Sequence, residues 1–363
     1  MIDVRPAAGA LPSAAEPRSS LVAVGLSHRT ATVGLRERAA LSEPAARALL
    51  GDLRTMPAVS AAAVLSTCNR TELYAIAAAP DGVEALRGAL AARGRLPAEA
   101  VAAAGFALTE ADALEHLFRV AAGLDSLVLG EPEIQHQVRR AAALAAEEGA
   151  LGRELGDVFR HALSAGRRVR RETGIGRGAV STASVGVELA RRALGDLRGR
   201  HALVLGAGAM ASSMARALAR NGVAGVVVCN RTVPAAGRLA AEVGGRGAGL
   251  GGLAAELGTA DLVVAATGAP APVLRRSVAA RALRSRGPGR PLVCIDLAMP
   301  RDIEPTVATL DGAVLFDVDD LRLTADANRF GRAVAARRAE AIVAAEVARC
   351  LDQARRPRLA RAA

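Results

Sequence analysis

The chain of 363 residues has no lysine and no tryptophan, and aromatic residues make up only 2% of it. Its cores must therefore be built mainly from alanine, leucine and valine. The four cysteines lie far apart without a CxxC pair, which excludes the usual spacing of a zinc site or a disulfide framework. No apolar run approaches the roughly 18 residues of a membrane span, and no signal peptide is recognised. We therefore expect a cytoplasmic protein with no membrane partner and no metal site.

What the chain does contain is a large excess of arginine. The net charge of +11 favours polyanionic partners, although a coding bias that replaces lysine by arginine would produce the same excess. One run of arginines, at residues 167–171, predicts either contact with phosphate or a solvated helix face, and the second is the more common. The length of the chain predicts two or three domains.

The first part of the chain alternates strands and helices. Residues 1–20 are rich in proline, alanine and serine, which predicts a disordered extension. Strands are predicted at residues 21–26, 61–65 and 73–77, and Ser42-Glu43-Pro44 marks the start of a helix. These elements predict a small α+β unit up to about residue 105, followed by helices over residues 109–172. Together they form an N-terminal catalytic domain at residues 21–172.

A second domain is predicted at residues 175–315. A helix at residues 184–194 leads into strands at 201–205, 226–229, 262–266 and 292–295, with helical stretches between them. This alternation is typical of a doubly wound parallel sheet. Residues 319–363 form a last helical segment, predicted as one long helix over 319–361.

The turn after the first strand of this domain matches the dinucleotide-binding fingerprint. Gly206 permits a tight turn, Gly208 lets the backbone approach a pyrophosphate at a helix N-terminus, and Ala211 stands at the third position. A preceding apolar strand and a following helix make this weak pattern specific. Thr267-Gly268 and Asp296 end later strands, where the nicotinamide half should lie.

The end of the second strand decides which nicotinamide cofactor is expected. NAD-binding sheets usually place an acid there, whereas Arg231 can pair with a 2′-phosphate, so we predict NADP. The predicted cofactor-binding residues are Gly206, Ala207, Gly208, Ala209, Met210, Ala211, Asn230, Arg231 and Thr232. The fold class is therefore a multidomain α/β protein with an N-terminal α+β catalytic domain, a Rossmann-type NADP-binding domain and a C-terminal helical segment.

A candidate nucleophile lies in the turn Thr67-Cys68-Asn69-Arg70, directly after an apolar strand. The thiolate is the reactive form of cysteine, and a cationic neighbour such as Arg70 lowers a thiol pKa. The alternative is that Cys68 is a small buried hydrophobe, as many free cysteines are. Together with NADP, a reactive Cys68 predicts a thioester that is reduced to an aldehyde, or the reverse oxidation.

Several motifs in one order resemble bacterial glutamyl-tRNA reductase, which catalyses the first committed step of tetrapyrrole synthesis from glutamate. The resemblance covers residues 21 to about 349. The matching motifs are VGLSHRTA at 24–31, RER at 36–38, STCNRTE at 66–72, HLFRVAAGLDS at 116–126, GE at 130–131, the cofactor turn and IDLAMPRDI at 295–303.

The resemblance implies that Cys68 attacks the ester joining glutamate to tRNA(Glu), and that NADPH reduces the thioester to glutamate-1-semialdehyde. It implies that His116 is a catalytic acid/base or positioning group, where the residues alone favour a helix-surface histidine. Arg70 would pair with a substrate carboxylate. The implied substrate-binding residues are Thr67, Asn69, Arg70, Ser126, Glu131, Pro132, Glu133 and Gln137.

Two departures from the family pattern keep other functions open. Where the family has Gly-Glu-x-Gln-Ile-x-Gly-Gln, this chain has Glu133 for the glutamine and His136 for the glycine. The added charge either weakens substrate binding or is compensated by His136 or Arg139. A C-terminal segment shorter than the family's leaves homodimer formation open, and glutamate-1-semialdehyde aminotransferase is a possible partner. The alternatives are a non-catalytic paralogue that binds charged tRNA or a pathway partner, and a small-molecule dehydrogenase.

Overall fold

The structure is a computed structural model that describes residues 19–78, 80–126, 128–175, 181–286, 289–327 and 333–359. The predicted N-terminal extension lies outside these residues, except for Ser19 and Ser20. Both belong to the first strand, so the predicted boundary at residue 20 is wrong by two residues.

The first domain is built on an antiparallel sheet in the order β2-β3-β1-β4. Its strands are β1 (Ser19–Ser27), β2 (Val59–Ser66), β3 (Arg70–Ala78) and β4 (Phe106–Thr109). The first three confirm predicted strands. The predicted end of this α+β unit near residue 105 is wrong, because β4 pairs with β1. With four residues, none of them fully buried, β4 is too short to carry an alternating pattern.

Helices cover this sheet and extend the domain. They are α1 (Val33–Ala39), α2 (Glu43–Arg54), α3 (Asp81–Gly94), α4 (Ala98–Ala104), α5 (Glu110–Ala121), α6 (Glu133–Glu147) and α7 (Arg153–Thr173). The start of α2 is confirmed: the Ser42 hydroxyl accepts a hydrogen bond from the Ala45 amide at 3.4 Å, and Pro44 lies in the first turn. Leucine, alanine and valine dominate the core between helices and sheet, as the scarcity of aromatic residues predicted.

The second domain is a parallel sheet in the order β10-β9-β8-β5-β6-β7. Its strands are β5 (His201–Leu205), β6 (Gly225–Asn230), β7 (Arg246–Gly249), β8 (Leu262–Ala265), β9 (Leu292–Asp296) and β10 (Ala313–Phe316). Strand order reverses between β5 and β8, where doubly wound sheets bind their ligands. This confirms the predicted fold class. The edge strands β7 and β10 were not predicted; β7 reads Arg-Gly-Ala-Gly, without any apolar run.

Helices lie on the faces of this second sheet, and the C-terminal part of the chain divides between the two domains. The helices of the second domain are α8 (Thr182–Leu194), α9 (Ala209–Arg220), α10 (Val233–Glu242), α11 (Leu253–Thr259), α12 (Arg276–Arg284) and α13 (Val318–Ala327). The last helix, α14 (Ala333–Leu359), packs instead on α5 and α7 of the first domain.

The described residues of the predicted long helix, 319–327 and 333–359, are helical, and residues 328–332 between them lie outside the described residues. Leu321 and Ala325 of α13 are buried in the core of the second domain, whereas Ala339 and Val343 of α14 are buried in that of the first. The buried apolar residues of α13 therefore pack against the second domain, and those of α14 pack against the first. No helix in the described part of the chain has the length and apolar character needed to cross a lipid bilayer.

Candidate active site

Cys68 lies at the tip of the β2–β3 hairpin, in a three-residue connection. The Thr67 amide donates to the Arg70 carbonyl at 2.8 Å, and the Asn69 amide donates to the Thr67 hydroxyl at 3.1 Å. The His28 amide donates to the Asn69 carbonyl at 2.8 Å, which joins the turn to the end of β1. Short polar side chains therefore close this turn locally and hold Cys68 half-buried at the end of the sheet.

A narrow cavity beside Cys68 joins the two domains. It is lined by Thr67, Cys68, Asn69, Arg70, Ser126, Glu131, Glu133, Ile134, Gln137, Thr182 and Met210. Asn69 Oδ1 is buried without a hydrogen-bond partner among the described residues, and Ser126 beside it lies close to Glu131. Because an unpaired buried polar atom is costly, Asn69 Oδ1 favours a polar ligand in this cavity.

The thiol of Cys68 is protonated at neutral pH. Burial, followed by the charges of Glu131 and Glu133, raises its pKa to about 12, and Arg36 opposes this only in part. Burial and the charge of Glu133 also raise the pKa of Glu131 to about 7. Glu131 therefore changes protonation near neutral pH, which is what a proton acceptor for a thiol in the same cavity requires.

Behind the cavity, Arg70 belongs to a buried ionic network. Its Nη1 donates to Glu72 Oε1 at 2.8 Å and to Asp125 Oδ2 at 3.0 Å, and its Nη2 donates to the Asp125 carbonyl. Glu72 also accepts a hydrogen bond from the Tyr74 hydroxyl at 2.5 Å and contacts His116 Nε2 at 3.1 Å. Burial alone would raise the pKa of Glu72, but the charge of Arg70 together with the contacts from His116 and Tyr74 outweighs it and lowers that pKa to about 2.

This network changes the roles expected for two residues. The expectation that Arg70 lowers the pKa of Cys68 is wrong, since Glu72 and Asp125 compensate its charge and the pKa of the thiol is raised. His116 does not line the cavity of Cys68. It contacts Glu72 and packs against Tyr74 and Phe106, so it reaches the site only through Arg70.

A larger cavity of about 550 Å³ lies next to the first and shares Glu133 and Gln137 with it. Its walls come from α2, β2, α6 and the first residue of α9, and they are mainly apolar. Pro132 lines this cavity and not that of Cys68. Its size is within the usual range for small-molecule sites.

The cofactor turn has the geometry that the fingerprint requires. Gly206 has φ +106°, and a Cβ atom there would lie 2.4 Å from the Ala266 carbonyl oxygen, so no other residue fits. Gly208 caps α9, and a Cβ atom on it would meet nothing within 4 Å. Open space therefore faces the N-terminus of a 12-residue helix, as a pyrophosphate needs.

The ends of three other strands complete this side of the site. Arg231, after β6, is exposed, and its side chain has no hydrogen-bond or ion-pair partner within the described ranges. The Thr267 amide donates to Asp302 at 2.6 Å. Asp296 accepts hydrogen bonds from the Ala298 and Ile303 amides at 3.0 and 2.8 Å, which orders the loop after β9.

Comparison with known proteins assigns a family to each of the two domains. The family model described as "Glutamyl-tRNAGlu reductase, N-terminal domain" matches residues 24–173, and the model described as "Shikimate / quinate 5-dehydrogenase" matches residues 188–324. The glutamyl-tRNA reductase of Rubrobacter xylanophilus is 45% identical over 89% of this chain and 75% of its own length. The chain belongs to the glutamyl-tRNA reductase family.

Two further members support this membership. The glutamyl-tRNA reductase of Desulforudis audaxviator is 42% identical over 90% of this chain and 73% of its own length. The solved structure of glutamyl-tRNA reductase from Methanopyrus kandleri is 36% identical, with a TM-score of 0.51 over 94% of this chain and 82% of that one. The chain is accordingly an oxidoreductase of this family with a nicotinamide-type nucleotide-binding domain.

Within this family framework, the structure also identifies residues that the sequence analysis overlooked. Thr182 lines the Cys68 cavity and donates to Glu131 Oε2 at 3.2 Å. Asp125 pairs with Arg70, and Arg36 donates to the Cys68 carbonyl at 3.1 Å. Thr182 carries no local signal, because it reaches the site from the other domain. Asp125 and Arg36 lie inside matched motifs, which could have identified them.

The arginine run at residues 167–171 forms contacts within the chain. Arg168 pairs with Glu172 and with Glu346 of α14, and Arg170 donates to the Glu131 carbonyl at 3.0 Å. These bonds favour a structural role for the run over the predicted contact with phosphate.

Proposed function

We propose that this protein reduces glutamyl-tRNA(Glu) to glutamate-1-semialdehyde with NADPH, as the first step of tetrapyrrole biosynthesis from glutamate. The observation that carries the proposal is the position of Cys68. It lies in a cavity whose walls come from both the catalytic and the nucleotide-binding domain. Attack by the thiol and reduction of the resulting thioester can therefore occur at one place.

In the first step, Cys68 gives its proton to Glu131 and its sulfur attacks the ester carbon. The carbon–oxygen bond to the terminal ribose breaks, and that oxygen takes the proton back from Glu131, so a thioester and free tRNA result. The pKa of Glu131, about 7, suits both transfers. Asn69 and Ser126 offer buried polar atoms to the glutamyl group. The adjoining cavity, of about 550 Å³, has room for the end of the tRNA.

In the second step the thioester carbon becomes an aldehyde and Cys68 leaves as a thiolate, which is reprotonated. Bound NADPH would supply the hydride for this step. Gly206, Gly208 and the start of α9 would hold its pyrophosphate, and Arg231 would pair with its 2′-phosphate. Exchange of Arg231 for aspartate should shift the preference from NADPH to NADH, measured as the ratio of kcat/KM values.

The position of Glu133 bears on the alternative of a non-catalytic paralogue. Its carboxylate raises the pKa of both Cys68 and Glu131, and burial raises the pKa of Glu133 itself, which His136 opposes. Substitution of Glu133 by the glutamine of the family pattern should therefore lower the pKa of Cys68. Faster NADPH oxidation by this variant would favour the reductase over the non-catalytic paralogue, because a protein that only binds has no turnover to accelerate.

The deciding experiment follows NADPH oxidation by the purified protein with glutamyl-tRNA and identifies the product. A Cys68→Ser variant and uncharged tRNA should each abolish oxidation. Cys350→Ser serves as the matched control, since Cys350 lies on α14, away from the cavity. Tight binding of glutamyl-tRNA without oxidation would instead identify a non-catalytic paralogue. Homodimer formation, transfer of the aldehyde to the aminotransferase and cytoplasmic location stay predictions.

A further inference from the structure

Two adjacent residues of α1 connect the catalytic turn to the nucleotide-binding domain. Arg36 is 3% exposed, and its guanidinium reaches three partners on different parts of the chain. Nε donates to the Ala31 carbonyl at 3.3 Å, Nη1 to the Cys68 carbonyl at 3.1 Å, and Nη2 to Asp319 Oδ1 at 2.6 Å. Asp319 lies in the first turn of α13, which belongs to the second domain.

The neighbouring residue, Glu37, makes a second connection between the domains. Its carboxylate accepts three hydrogen bonds from Arg301: from the amide at 2.8 Å, from Nε at 2.7 Å and from Nη2 at 2.5 Å. Arg301 follows β9 in the loop that Asp296 orders, at the edge of the sheet where the cofactor end is expected. A paired guanidinium–carboxylate contact of this kind fixes orientation as well as distance.

We propose that Arg36–Asp319 and Glu37–Arg301 form an interdomain clamp that aligns the Cys68 thioester with the cofactor domain for hydride transfer. The members of the clamp are positioning residues, because they act through the Cys68 backbone and through the two domains. This inference rests on the proposed reductase activity. One guanidinium bonds both the Cys68 carbonyl and a carboxylate of the other domain, so the two domains cannot rotate apart without breaking a bond of the side chain that holds the Cys68 backbone.

The clamp predicts that the two chemical steps respond differently to its loss. Attack on the ester needs Cys68, Glu131 and the substrate cavity, most of which lie in the first domain. Hydride transfer needs the reacting atoms about 3–3.5 Å apart across the domain boundary, and a displacement of about 1 Å can cost roughly 100-fold in rate.

The test uses Asp319→Asn and Glu37→Gln, because Arg36 is too deeply buried to replace without risk to folding. The Asp319 side chain is 38% exposed and that of Glu37 17%, so both variants should fold. The matched control is Glu84→Gln, which breaks the exposed pair with Arg87 within α3. We measure NADPH oxidation with glutamyl-tRNA, release of tRNA from the ester without NADPH, and the Kd of NADPH.

Both clamp variants should lose about 10- to 100-fold in NADPH oxidation. Ester cleavage should stay within about twofold, and the Kd of NADPH and the control should not change. An equal fall in both rates, or no fall in either, would overturn the clamp.

Amide hydrogen exchange in α1 and α13 provides a readout without turnover: it should rise in both variants, and unchanged exchange would also overturn the clamp. A wild-type protein that neither cleaves the ester nor oxidises NADPH would refute the proposed function. The amide hydrogen exchange measurement would still test the clamp in that case.

Discussion

The raised pKa of Cys68 leads to a quantitative prediction of its reactivity. With a pKa of about 12, against an ordinary value of 9.0, the thiol holds far less thiolate at pH 7 than a free cysteine does. The deficit is about 1,000-fold, since each pH unit below the pKa lowers the thiolate population about tenfold. A more basic thiolate is also more nucleophilic, which raises the rate constant of the thiolate about 20-fold for a Brønsted coefficient of about 0.45. The net rate should be about 50-fold below that of a free cysteine.

The assay uses a small aromatic disulfide between pH 6 and pH 10, with mass spectrometry of the peptide that contains Cys68. Above about pH 8, where Glu131 is ionised, the logarithm of the rate should rise by about one per pH unit, because only the thiolate reacts. Between pH 6 and pH 8 the slope should be lower, because the ionisation of Glu131 raises the pKa of the thiol as the pH rises. This slope does not depend on how easily the reagent enters the cavity. Glu131→Gln should raise the rate above about pH 7, where Glu131 is ionised, since it removes a charge that raises the pKa of the thiol.

A plateau below pH 10 would refute the reasoning, because it would mean that a nearby cation stabilises the thiolate after all. An unchanged rate in Glu131→Gln would show that the two side chains do not interact. Cys350→Ser provides the background for both measurements, since Cys350 is the other half-buried cysteine among the described residues.

Three further predictions concern stability and cofactor binding. Arg70→Met should lower the free energy of unfolding by about 3–5 kcal/mol, because it leaves Glu72 buried without its cation; a loss well below about 1 kcal/mol in a urea titration would contradict this. Gly206→Ala should weaken NADPH binding at least about tenfold in a fluorescence titration, because its φ of +106° excludes a side chain, whereas Gly88→Ala, with open space around it, should not. Glu131 has a folded-state pKa of about 7, above its usual 4.5, so the folded state binds the extra proton. Its contribution to the unfolding free energy is therefore greatest below pH 4.5 and falls by about 3 kcal/mol as the pH rises to 7, and Glu131→Gln should remove that dependence in parallel urea titrations.

Local sequence signals were sufficient for most of the fold. The cap at Ser42, the apolar strands around Cys68 and the glycines of the cofactor turn each depend on a few neighbouring residues. Such signals can be recognised without knowledge of the rest of the chain. Short edge strands such as β4 and β7 were missed for the same reason, because only pairing with a neighbouring strand makes them strands.

The amino-acid sequence by itself determined the two-domain order, the parallel nucleotide-binding sheet, the candidate nucleophile and the family. Only the tertiary structure decided the electrostatics around Cys68. Arg70 is two residues away in sequence, yet its charge is compensated by Glu72 and by Asp125, 55 residues further on. Arg36, 32 residues before Cys68, bonds its carbonyl instead. Charge effects follow distance in space and burial, neither of which a sequence motif records, and so the protonation of the nucleophile and its link to the second domain depend on folding.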